Sequence, residues 1–300
     1  MLTATFSCTR EEVTGGMTEV LFTASAAQTR SSVTVHESDI NTLDILVFRN
    51  ETGALEASGR VSGDHLSLSV LKGIRYRWYA IANYPGDLAQ VNSLSQLLAI
   101  KTRLDENSES SLVMSGYGDG LLDGTPVSVS LSRIVSRIEL GTVSPVYYES
   151  AYAGEDVILD RIYLINAAGE CSLCGDTDRV GVWYNEGKAM NNGGVIDSFL
   201  QRDRGVSIAG GVALQEDLFF YACPNPDAGT KLVLEVKVND STEYYPISIG
   251  PMKGNTSYRI SQVLLLGPGA TSPDADVERV SMSFDVTVNN WEEESNNVEL

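Results

Sequence analysis

The residues best suited to metal or redox chemistry are few and widely spaced. Cys171 and Cys174 form one CxxC pair, and the two histidines, His36 and His65, stand alone. A structural zinc site needs four ligands, and no second cysteine pair or histidine pair completes such a set. We therefore expect no metal or other cofactor. We expect either a loop disulfide or two free thiols at the CxxC, with Cys223 buried and unreactive.

Patterns that would indicate catalysis are equally sparse. The sequence contains no glycine-rich phosphate loop and no nucleophile elbow, and neither histidine lies in a Ser/His/Asp or Cys/His motif. Carboxylate pairs occur, but 40 acidic residues produce such pairs by chance. The sequence therefore indicates a protein that binds or assembles rather than an enzyme.

Two positions near the N-terminus are candidates for covalent processing. Phe6-Ser7-Cys8, followed by Thr-Arg-Glu-Glu, resembles the end of a bacterial lipoprotein signal, in which the cysteine is lipidated and becomes the new N-terminus. We expect Cys8 to carry a lipid anchor and the full signal to begin upstream of Met1; the alternative is a free cysteine in a flexible tail. Arg30 lies in a polar break between two strand-like runs, where it is either part of a surface turn or a protease cleavage site.

Composition and charge limit the class of protein and its partners. With 40 acidic and 21 basic residues the net charge is −19, which repels phosphate backbones, so nucleic acid is not an expected partner. No apolar run is long enough to span a bilayer. The 27 glycines and the many Val/Ile/Ser/Thr alternations favour an all-β fold.

Period-two alternation predicts the strands that would position these residues. Val20, Phe22, Ala24 and Ala26 alternate with polar neighbours, so we predict a first strand that faces the core and lies at the edge of its sheet. Further strands follow at intervals typical of a β-sandwich, as at residues 43–48 and 76–82. One short helix is expected after Ser93, where Gln96 completes a capping-box spacing.

A long alternating stretch in the middle of the chain suggests a domain boundary. Residues 127–140 alternate over more positions than one ordinary strand occupies. We therefore place the boundary near Ile134. This gives a tail at 1–18, an N-terminal β-sandwich domain at 19–134 and a C-terminal β-sandwich domain at 135–300.

Several segments in the same order resemble the fimbrillin family, the subunits of type V pili on Bacteroidales-type bacteria. They are residues 40–48 (INTLDILVF), 79–83 (YAIAN), 131–138 (LSRIVSRI), 255–260 (NTSYRI), 272–278 (SPDADVE) and 286–291 (VTVNNW). The resemblance implies two transthyretin-like, Greek-key β-sandwich domains with one or two short helices. It also implies export as an outer-membrane lipoprotein precursor and a final location in a cell-surface fimbria.

The resemblance further implies how the subunits join. In this family an arginine-specific, trypsin-like protease removes the lipidated N-terminal segment with its first strand, and a strand from another subunit fills the groove. Here cleavage at Arg30 would release Val20, Phe22, Ala24 and Ala26, whereas cleavage at Arg10 would leave that strand in place. The candidate donor strand has an alternating apolar face, and the alternative is that it is the last strand of its own domain. Its apolar residues are Val280, Met282, Phe284, Val286 and Val288.

An alternative function is a monomeric surface lipoprotein that binds glycans. Its candidate aromatic residues are Trp183, Tyr184, Tyr147 and Tyr148, which would otherwise pack in the core or in hairpins. Stalk, tip and anchor roles within a fimbria stay open at this point.

Overall fold

A computed structural model of the 300-residue chain describes residues 16–26, 36–147, 157–174, 181–186, 197–227, 229–239, 241–275 and 282–290. Cys8, Arg10, Arg30, Tyr148 and Val280 lie outside these residues. The described part is almost entirely β-structure, as expected. None of its helices is long and apolar enough to cross a membrane.

Over its described residues, the N-terminal part contains eight strands, one short α-helix and a 3-10 turn. In chain order they are β1 (Met17–Ala26), β2 (Thr42–Arg49), β3 (Leu55–Ser62), β4 (His65–Leu71), β5 (Arg75–Ala82), α1 (Leu94–Leu98), β6 (Lys101–Arg103), the 3-10 turn Leu104–Glu106, β7 (Met114–Leu121) and β8 (Val127–Arg133). The predicted helix cap is confirmed, because the Ser93 side chain accepts a hydrogen bond from the Gln96 backbone N–H.

Seven of these strands form one sheet in the order β3-β2-β5-β7-β8-β1-β4. The sheet folds over on itself between β7 and β8, where these two fully described strands pair at only two positions. Phe22 of β1 and Trp78 of β5 therefore meet across the two layers, with ring centroids 6.1 Å apart. Gly116 lies at the fold, since a Cβ there would lie 2.2 Å from the Ser130 carbonyl oxygen.

The C-terminal part contains eleven labelled strands among the described residues. They are β9 (Ser136–Pro145), β10 (Val157–Ile165), β11 (Ala167–Ala168), β12 (Glu170–Ser172), β13 (Trp183–Tyr184), β14 (Gln201–Ile208), β15 (Leu214–Ala222), β16 (Lys231–Val238), β17 (Ser241–Ser248), β18 (Thr256–Leu265) and β19 (Met282–Asn290). Two four-stranded sheets, β14-β10-β16-β17 and β15-β9-β18-β19, enclose most of its core.

The two parts meet where β8 ends and β9 begins. β8 ends at Arg133 and β9 begins at Ser136, in a different sheet. A short β6–β12 pair also joins the two parts, and one apolar cluster runs from Phe48 to Ile138 and beyond. Because the core is continuous across this junction, the division into 19–134 and 135–300 stays a prediction.

The expected state of the CxxC pair is wrong, whereas the expected burial of Cys223 is confirmed. Cys171 and Cys223 form a disulfide with their Cα atoms 5.4 Å apart, and Cys174 is a free, buried thiol. The two bonded residues are 52 positions apart, with Cys171 in β12 and Cys223 directly after the last residue of β15. Close spacing in a CxxC pair suggested a local bond, but the fold brings a more distant partner to Cys171.

Candidate functional site

The first strand is an inner strand of its sheet, so the predicted edge position is wrong. β1 pairs antiparallel with β4, from Met17 opposite Leu71 to Thr23 opposite His65. On its other side it pairs parallel with β8, from Phe22 opposite Val127 to Ala26 opposite Leu131. Alternation indicates only that one face of a strand is buried. It does not distinguish inner from edge strands, because both bury one face in a sandwich.

The two ladders of β1 overlap only slightly. Within this fully described strand, only Phe22 and Thr23 have partners on both sides. The N-terminal half is therefore held by β4 and the C-terminal half by β8. Removing the strand would leave β4 and β8 with unpaired backbone groups facing each other across a gap, which is a template for strand addition.

The predicted inward face of β1 agrees with the structure. Val20 and Phe22 are fully buried, Ala24 is 2% exposed and Ala26 is partly buried against the same cluster. Their neighbours come from the opposite layer and from β8. They include Leu43, Ile45, Val47, Tyr76, Trp78 and Val129. Without β1 these apolar side chains would face a groove open to water.

An open surface depression lies at the end of β1. It has a volume of about 310 Å³ and lies beside Ala24, Ser25 and Ala26. Its other walls come from residues 38–40 and from the turn before β4, at Gly63 and Asp64. The inward side chains of β1 change from Val20 and Phe22 to Ala24 and Ala26, so they become smaller toward the C-terminal end of the strand.

The candidate donor residues lie in a different sheet from the displaced strand. β19 is the last strand of β15-β9-β18-β19 and pairs antiparallel with β18. Met282 is buried, Phe284 and Val286 pack against the C-terminal core, and Val288 is 57% exposed. The alternative given from the sequence, a last strand in its own domain, therefore describes β19 in this structure.

The loop before β19 is bound to the body of the protein over its described part, residues 267–275. The Tyr245 hydroxyl donates to the Gly267 carbonyl at 2.8 Å, and the Gly269 N–H donates to Glu243 Oε2 at 2.9 Å. Tyr244 and Ala270 exchange two backbone hydrogen bonds. These contacts oppose movement of residues 267–270 away from β17.

Two of the aromatic residues considered for glycan binding, Tyr184 and Tyr147, have side-chain partners within the fold. Arg103 donates to the Tyr184 hydroxyl at 2.9 Å, and the Tyr184 ring packs edge-on to Phe199 with centroids 5.1 Å apart. The hydroxyls of Tyr147 and Tyr245 lie 3.4 Å apart. These contacts favour a packing role for the two tyrosines over a role as an exposed aromatic surface for a glycan. Within the part of the chain that the structure describes, no group of three metal-ligating side chains was found.

A buried charged cluster was missed from the sequence. Glu37, 1% exposed, meets Arg137 of β9 and Tyr221 of β15. Isolated charged residues in a chain with 40 acids carry no signal of burial, and the partners of Glu37 are 100 and 184 positions away.

Comparisons with known proteins agree with this architecture. Residues 19–122 match the model of the family described as "Major fimbrial subunit protein (FimA)". The curated "Putative fimbrium tip subunit Fim1C" of Parabacteroides distasonis is 29% identical over 160 residues, which span 43% of this chain and 42% of that relative.

Solved structures share the fold over nearly the whole chain. A fimbrilin from Porphyromonas gingivalis W83 has a TM-score of 0.68 at 16% identity, covering 92% of this chain and 97% of that one. A "putative cell adhesion protein" from Parabacteroides distasonis has a TM-score of 0.71 at 16% identity, covering 93% and 98%.

At these identities the solved structures show the fold, while the family model and the curated relative carry the relationship. The resemblance inferred from the sequence is thereby confirmed: the chain is related to the fimbrillins of Bacteroidales bacteria, a family of structural fimbrial subunits rather than enzymes.

Proposed function

We propose that this protein is a structural or adhesive subunit of a cell-surface fimbria, assembled by strand exchange after proteolysis removes β1. The supporting observation is the position of β1. It lies between β4 and β8, buries one apolar face, and is followed by the segment 27–35 that contains Arg30. Cleavage there would separate β1 from β2.

The energetics favour a groove that is refilled rather than left empty. Burial of a side chain such as Val20 or Phe22 contributes about 1.5–3 kcal/mol each. A groove that has lost β1 exposes this apolar surface together with the backbone edges of β4 and β8. A donor must present the same period-two face, since a shift by one residue would turn every apolar side chain to water.

The candidate donor strand, β19, can be aligned on β1 through its aromatic residue. With Phe284 at the position of Phe22, Met282 takes the place of Val20, and Val286 and Val288 take the places of Ala24 and Ala26. The two valines are larger than the alanines, so this donor would bring larger apolar side chains to that end of the groove. The donor on this proposal is the β19 of a second or related subunit.

Export as an outer-membrane lipoprotein forms the first part of the proposed pathway. Cys8 would hold the precursor at the outer membrane through its lipid, and an arginine-specific protease would release it at Arg30. The resemblance to fimbrillins and the sequence around Cys8 support this step.

Two substitutions test the proposal in cells. Arg30→Ala should block maturation and polymer formation without unfolding the precursor, because it removes the cleavage site and no side chain of the β1 core. Arg10→Ala is the matched control and should assemble normally. N-terminal sequencing of protein taken from the cell surface shows whether cleavage has occurred. Gel electrophoresis of unheated fimbriae shows, as a ladder of bands, whether polymers have formed.

The second substitution addresses the donor strand. Phe284→Asp should abolish subunit joining while the N-terminal sheet stays folded, and Thr287→Asp, on the exposed face of the same strand, should not. Normal polymers from both Arg30→Ala and Phe284→Asp would exclude strand exchange at these residues.

A further inference from the structure

The Glu37 cluster fixes the chain between β1 and β2 to the C-terminal sheets. One Glu37 oxygen accepts a hydrogen bond from the Tyr221 hydroxyl at 2.6 Å, and the other lies 3.1 Å from Arg137 Nη1. The side chains of Glu37 and Arg137 are 1% and 4% exposed. Arg137 also lies over the Phe219 ring and pairs with Glu139 at 3.0 Å. Glu37 thus binds to both β9 and β15.

The residues that follow Glu37 are held by further hydrogen bonds. Arg133 Nε donates to the Glu37 carbonyl at 3.2 Å. Asn83 donates to the Asp39 carbonyl and accepts from the Asn41 N–H, both at 2.8 Å. Residues 37–41 are therefore tied to the C-terminal sheets at one end and to the end of β5 at the other.

The interactions of residues 37–41 differ in kind from those of β1. β1 is held by ladder hydrogen bonds and apolar burial, which any extended strand with the same alternation can supply. Glu37 is held by a buried charge pair and a tyrosine hydroxyl, which a competing strand does not supply. Withdrawing Glu37 would remove one of the two carboxylates that pair with the buried Arg137, and this costs free energy because the ion pair is shielded from water.

We propose that Glu37 is a positioning residue that keeps the chain after the cleavage point attached to the C-terminal sheets while β1 leaves. This inference rests on the proposed function, because it concerns which part of the N-terminal region leaves during strand exchange and which part stays. Cleavage at Arg30 sets the end of the released segment. Glu37 then holds the retained chain from residue 37 onward, so β2 keeps its register beside β5 when the groove opens.

The test compares the full chain before and after a cut that does not depend on the native protease. A site-specific protease sequence is inserted between Arg30 and Ser31, and amide hydrogen exchange of residues 36–41 is measured in the intact and the cleaved chain. In the intact chain the covalent link to β1 also limits opening of this segment. Glu37→Gln should therefore raise exchange roughly tenfold or more after cleavage and much less before it.

A structural role alone would raise exchange equally in both forms. Glu235→Gln is the matched control, since Glu235 is 4% exposed and accepts from Arg161 at 2.8 and 2.7 Å far from this segment. It should leave exchange of residues 36–41 unchanged in both forms. Tyr221→Phe keeps the ion pair and should give a smaller increase of the same kind, which tests the cluster if Glu37→Gln does not fold.

Two results would overturn the inference. They are an equal effect of Glu37→Gln in the intact and cleaved chains, and free exchange of residues 36–41 in the cleaved parent chain. Normal fimbriae from both Arg30→Ala and Phe284→Asp would instead contradict the proposed function, without changing the outcome of the hydrogen-exchange measurement.

Discussion

Cys174 shows how burial decides the chemistry of a single residue. Its thiol is 4% exposed, and burial raises its pKa to about 12. Because the thiolate is the reactive form, Cys174 should stay protonated and inert at neutral pH although it is three positions from a disulfide cysteine.

Alkylation separates the states of the cysteines. An alkylating reagent at neutral pH should leave Cys174 unmodified in the folded protein and should label it after unfolding without reductant. Cys171 and Cys223 should be labelled only after reduction. Peptide mass spectrometry reads each site, and a peptide joined through Cys171 and Cys174 would contradict the disulfide in this structure.

At the scale of the element, β1 concentrates its packing on one face. Phe22→Ala should lower the free energy of unfolding of the full chain by about 3–5 kcal/mol, because it opens a cavity between β1 and Trp78. Leu21→Ala, on the opposite face where Leu21 is 37% exposed, should cost clearly less. Denaturant unfolding measures both, and similar losses would mean that β1 does not bury the face described.

The buried face of β1 could be predicted from its sequence, but the strands that pair with β1 could not. Alternation identified the buried face of β1 and the strand nature of β19, because side chains point to opposite sides of a sheet in turn. It could not show that β4 and β8 both pair with β1, since the paired residues are 42 to 54 positions away in β4 and 105 positions away in β8. The burial of Glu37 could not be predicted for a similar reason, because its partners in β9 and β15 are 100 and 184 positions away.

At the scale of the whole molecule, the N-terminal and C-terminal parts are joined along a seam. β6 of the N-terminal part pairs with β12, and Leu104 N–H donates to the Gly169 carbonyl at 3.0 Å. The Cys171–Cys223 bond then ties β12 to the end of β15, which lies beside β9. The N-terminal part is thus linked to the sheet that contains β9 and β15 in two ways. One link runs through β6, β12 and the disulfide, and the other is the Glu37 cluster.

Removal of the disulfide should therefore weaken the seam. The double variant Cys171→Ser/Cys223→Ser should lower the free energy of unfolding by about 2–4 kcal/mol, since the cross-link closes a loop of 52 residues and restricts the unfolded chain. Cys174→Ala removes a buried thiol but no cross-link, and should cost less. Hydrogen exchange should rise first in β6 and β12, because that three-residue ladder has few other supports. If the double variant and Cys174→Ala lose the same stability and exchange is unchanged in β6, the disulfide does not hold the two parts together.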